Sequence, residues 1–168
     1  MGQQAKLSET GSAVVVDDSH YPYLIATWFG APAVDTIEFY FAWQAERLAR
    51  ARDEGIKVAT IIDGIEASRP SPSIRKTLAE LSKSILDEFD PYIVHSWVIL
   101  QNPLIRGVIT AITWMTPMRT STAPTPVLAL QAGARALLQE NIPIPAGFDP
   151  SSYTRPDRPT GKARRSAS

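Results

Sequence analysis

Short β-branched, apolar runs alternate with helix-forming segments along most of this 168-residue chain, and that alternation constrains its fold more than any other feature. Ala13–Val16 is such a run, closed by the turn-prone cluster Asp17-Asp18-Ser19, and Tyr23–Phe29 is the next. Their spacing predicts an antiparallel hairpin with a connection longer than the tightest kind. A helix is expected from Asp35, with Glu38 three places on completing a capping box. Ile37, Phe41, Gln44 and Leu48 trace its apolar face, and Gly55 is placed to end it. Lys57–Gly64 reads as a buried strand. Ser71-Pro72 then opens a second helix, with serine as cap and proline in the first turn. Ile74, Leu78, Leu81, Ile85 and Phe89 give it the clearest amphipathic stripe in the chain.

Ile93–Leu100 is the following strand, and Asn102-Pro103 repeats the cap-then-proline start of a helix ending before Pro117. Pro126–Leu130 is read as a last short strand and Gly133–Asn141 as a last helix. The predicted order is ββαβαβαβα. Right-handed crossovers then imply a single α/β domain with a mixed, mainly parallel sheet, flanking helices and an antiparallel N-terminal edge. The domain is placed at residues 13–141. Residues 1–12 and the proline-, serine- and base-rich stretch 142–168 have few large apolar groups to offset ordering entropy, and are expected to be flexible.

Composition narrows the function classes. Lysine plus arginine equals aspartate plus glutamate, 17 each, so no overall field draws the chain to nucleic acid. Lys162, Arg164 and Arg165 could touch an acidic partner, but a solvated tail is the simpler reading. Cysteine is absent, which removes disulfides, thiolate metal sites and a cysteine nucleophile, and suits a reducing compartment. Met1–Thr10 does not read as a signal peptide, and the apolar stretch Leu104–Met118 is too short to span a bilayer and contains Arg106. The expectation is a cytoplasmic protein without a transmembrane segment.

Familiar catalytic patterns are missing. There is no G-x-G-x-x-G, no phosphate-binding P-loop and no G-x-S-x-G elbow. His20 falls in the hairpin turn and is expected in solvent, while His95 lies in a strand, where a structural histidine is the simpler reading. No motif supplies a metal site, and no cofactor is expected. Asp63, ending a buried strand, stands where ligands gather in open α/β sheets, although closing its own loop onto backbone N–H groups accounts for it too. Ser68, Arg69, Ser71 and Ser73 follow at a helix mouth that favours anions, which makes this loop a candidate for interaction or phosphorylation, with plain capping as the alternative. The segment from Asn102 is apolar nearly all round, through Leu104, Ile105, Val108, Ile109, Ile112, Trp114 and Met115. Such a helix is expected either to be covered, by the tail or more commonly by a second copy of the chain, or to offer an apolar patch to a ligand or membrane.

The strand KVATIIDGI leading to a serine-bearing helix start, the step QNPLIRGVI and the closing PVLALQAGARALL together resemble the STAS-like, SpoIIAA-like domains, STAS/SEC14-type members included, over residues 13–141. The resemblance implies a non-enzymatic regulatory or protein-interaction domain, acting here through the loop after Gly64 and the apolar segment from Asn102. It also implies an alternative role as carrier or sensor of an apolar small molecule or lipid, in a cavity expected to include Trp97, Ile109, Ile112 and Trp114. The family's D-S-S-G phosphorylation turn is replaced by Arg69-Pro70-Ser71-Pro72-Ser73, which departs from a phosphoswitch of the standard kind. An enzyme centred on Asp63 and His95 is the remaining competitor.

Overall fold

The computed structural model describes residues 2–101 and 119–160. Its described elements are strands β1 (Gln3–Leu7), β2 (Ala13–Asp17), β3 (Tyr23–Gly30), β4 (Val58–Ala67), β5 (Ile93–Ile99) and β6 (Thr120–Ala123), with helices α1 (Val34–Glu54), α2 (Pro72–Phe89) and α3 (Pro126–Gln139). The strands form one sheet in the order β1-β2-β3-β4-β5-β6. The first three pair antiparallel and β3 to β6 pair parallel, giving the mixed, mainly parallel α/β architecture that the alternation implies.

Side-chain alternation sends the two faces of the sheet to different helices. Val14, Val16, Leu24, Ala26, Trp28 and Val58 pack against α1 and α2. On the opposite face Tyr23, Ile25, Ala59, Ile61, Trp97 and Ile99 pack against α3. Gly133 lets α3 approach closely, because a Cβ there would lie 2.9 Å from the Tyr23 ring.

Helix ends follow their chemistry. Ser71 Oγ accepts from the Ile74 N–H with Pro72 in the first turn, as expected. Gly55 ends α1 in the left-handed region at φ 67. The start of α1 differs: Ala33 is the cap, the Thr36 hydroxyl accepts from its N–H at 3.0 Å, and Asp35 accepts from Thr36 N–H, so Glu38 takes no part.

Three larger expectations are corrected. Gln3–Leu7 is a strand and not a flexible end: it pairs with β2 and makes β2 an interior strand. Its side chains are mostly exposed, so an edge strand held by backbone bonds leaves no apolar pattern to read. Residues 126–130 are the first turn of α3 and not a strand, because the Thr125 hydroxyl accepts from Leu128 N–H with Pro126 in the first turn. The last strand among the described residues is the polar Thr120–Ala123.

The stretch from residue 142, expected to be flexible, returns over the α3 face as far as it is described. Ile142, Ile144, Phe148 and Tyr153 join that core. The His20 ring stacks on Phe148 at 4.3 Å, which takes it out of the fully solvated turn expected for it. The apolar segment from Asn102 and the basic residues Lys162, Arg164 and Arg165 lie outside the described residues.

Candidate functional site

Asp63 sits at the C-terminal part of β4 with its side chain fully buried. One carboxylate oxygen accepts the Ile65 N–H at 3.0 Å, the loop-closing role open to it from sequence. The other accepts Arg155 Nε at 2.7 Å. Arg155 also pairs with Glu66 and lies over the Phe29 ring, 4.8 Å from its centroid. Burial pulls the guanidinium's pKa down, but the Asp63 and Glu66 carboxylates outweigh it and the net shift is upward. Asp63 is thus tied up in a structural ion pair. Sequence reading missed Arg155 because it lies 92 residues away, in a stretch that carries no periodic pattern.

His95 is remote from this group. The parallel register places it beside Ala59, whereas Asp63 lies beside Ile99, so the two stand about 13 Å apart along the strands at ~3.3 Å per residue. His95 Nε2 shares a hydrogen bond with Ser121 Oγ at 2.8 Å. Burial and the nearby Arg119 charge lower its pKa. The geometry therefore does not bring Asp63 and His95 into one reacting centre. Among the described residues no group of three or more histidine and carboxylate side chains is placed to hold a metal.

The other face of the sheet is different. A cavity of ≈ 140 Å³ lies between the sheet, α1 and α2. The sheet contributes Trp28, Ile62 and Val98, α1 contributes Tyr40 and Phe41, and α2 contributes Leu78 and Ile85. Burial drives the Tyr40 hydroxyl's pKa far up, as an apolar surround requires. Gly64, Ala67, Ser68 and Pro70 form the rim, so the loop singled out from sequence borders the cavity directly. Gly64 suits that place: a Cβ there would lie 2.8 Å from the Leu100 side chain.

The loop residues separate by environment. Ser68, Arg69, Ser71 and Ser73 are exposed while Asp63 is buried. Ser71 and Ser73 share an Oγ–Oγ hydrogen bond of 3.0 Å, and Ser71 caps α2. Of the residues expected in an apolar cavity, Trp97 belongs to the α3 face and does not line this one. Ile109, Ile112 and Trp114 fall outside the described residues, as do Leu104, Ile105, Val108 and Met115. Among the described residues no charged side chain lines the cavity. No described helix is long and apolar enough to cross a membrane.

No family model matches this chain, and no curated protein matches it. Among solved structures, the chain is similar to an uncharacterized protein of the DUF3478 family from Shewanella loihica PV-4, described as having a SpoIIAA-like fold. The two are 17% identical with a TM-score of 0.45, over 79% of this chain and 92% of that one.

Proposed function

We propose that this chain is a non-enzymatic, STAS-like binding module that takes an apolar small molecule into the cavity between the sheet, α1 and α2. The observation that supports it is the cavity itself: aromatic and aliphatic walls, no charged lining among the described residues, and a rim formed by the loop after Gly64. A dry apolar void of about 150 Å³ is enough to hold a benzene-sized molecule. Small-molecule sites in globular proteins are lined mainly by hydrophobic and aromatic side chains with a few polar groups, as this one is. In this reading the exposed residues Ser68, Arg69, Ser71 and Ser73 are the surface a protein partner meets, and an occupied cavity steadies the rim that carries them. The geometry thus favours the ligand-binding role over a regulatory role exercised through the loop alone.

The test is a calorimetric titration with toluene, an uncharged apolar probe of the cavity's size. Saturable binding is expected for the native chain and its loss for Ser82→Phe, which fills the cavity from α2. Circular dichroism checks that the variant is folded. If a folded Ser82→Phe protein binds the probe as well as the native chain, the cavity is not the site.

A further inference from the structure

One polar side chain among the apolar walls is out of place. Gln44 lies on the buried face of α1, is 4% exposed and lines the cavity. Its amide is a hydrogen-bonding group set into an otherwise largely apolar wall. A buried primary amide carries two donors and an acceptor, and leaving them unmet is costly. On the strand side of the lining, Thr120 Oγ1 is buried without a hydrogen-bond partner. Ser82 and Ser96, both buried, line the same space. These groups suit a ligand that arrives with its own donor and acceptor.

The rest of the lining says which heads are unsuited. Lacking any described lysine, arginine or histidine, the cavity offers a carboxylate nothing to offset its desolvation. The described lining holds no aspartate or glutamate either, so those residues offer an ammonium no better. Resting on the reading of the cavity as a ligand site, we infer that its ligand is an uncharged, ring-sized molecule with one donor–acceptor head, of the carboxamide or hydroxyl type. Gln44 is the residue that selects that head. The amide of Gln44 meets it with one N–H donated and one carbonyl accepting, while Trp28, Tyr40, Phe41 and Ile62 enclose the ring.

Three probes of one size separate the contributions: toluene has no head, benzamide has a neutral one and benzoate a charged one. Calorimetry on the native chain is expected to show benzamide binding and benzoate at least tenfold weaker. In Gln44→Met, a change that keeps volume, the ratio of benzamide to toluene affinity should fall roughly fivefold, the worth of one net hydrogen bond. In the native chain the Gln44 side-chain NH2 resonances should shift with benzamide and stay still with toluene, a readout that needs no variant. If toluene binds in the cavity but the affinity ratio and the NH2 resonances do not respond, Gln44 does not select the head and only this inference falls. If none of the three probes binds, the cavity reading falls with it.

Discussion

At the scale of single residues, two buried carboxylates act as anchors. Asp63 has no solvent contact and relies on Arg155 and the Ile65 N–H. Removing one partner of such a pair leaves an uncompensated buried charge, a loss of about 3 kcal/mol or more. Arg155→Ala should therefore lower the unfolding free energy measured in urea by that much. Arg155→Lys should recover little, because a lysine cannot hold Asp63 and Glu66 together while stacking on Phe29. Full recovery with lysine would mean that charge alone matters there.

Asp18 is the second anchor, accepting the Gly2 N–H at 2.6 Å and pairing with Arg47. Burial pushes its pKa up, yet the Gly2 N–H and the Arg47 guanidinium prevail and hold it below its ordinary 3.8. A lowered folded-state pKa means stability that is present above the unfolded value and lost as pH falls through the folded one. Urea unfolding of the native chain and Asp18→Asn should thus differ most near neutrality, with the gap narrowing as pH drops from about 4 downward. A gap that stays constant to pH 2 would remove Asp18 from the account.

At the scale of elements, what was legible in sequence was what packing and capping make periodic. Ala13–Val16, Tyr23–Phe29, Lys57–Gly64 and Ile93–Leu100 all appear as strands within a few residues of their expected ends, because each carries a face into the core. β1 and β6 were invisible for the opposite reason: they lie at the sheet's two edges, and their bonds are backbone bonds that any side chain permits. The misreading of 126–130 has a different cause. A short apolar run does not by itself separate strand from helix, and the Thr125-Pro126 start should have decided it, as Ser71-Pro72 did for α2. Because Ser71 is a working cap, Ser71→Ala should cost about 1 kcal/mol in thermal or urea unfolding. An unchanged stability would return that serine to the candidates for a role beyond structure.

At the scale of the whole molecule, the sheet divides the chain's work between its faces. The α3 face is closed by the returning residues 142–160, whose Tyr153 and Arg155 reach the Asp63 corner, and whose Arg158 reaches the β1–β2 turn at Gly11. The α1–α2 face carries the cavity. The loop after Gly64 could be singled out in sequence, whereas the space behind it could not. A cavity between helices and a sheet is made by residues distant in sequence, and Trp28, Gln44, Leu78 and Val98 share no motif. Gln44 was visible on the apolar face of α1, where an amide is an anomaly, and that was the available signal.

The most direct measurement of the central claim is a methyl NMR titration of the native chain with benzene. The account predicts saturable shifts confined to the cavity walls, at Ile62, Leu78, Ile85 and Val98, with the Ile61 and Leu130 methyls of the α3 face left in place. Shifts centred on the α3 face, or none at saturating benzene, would contradict it.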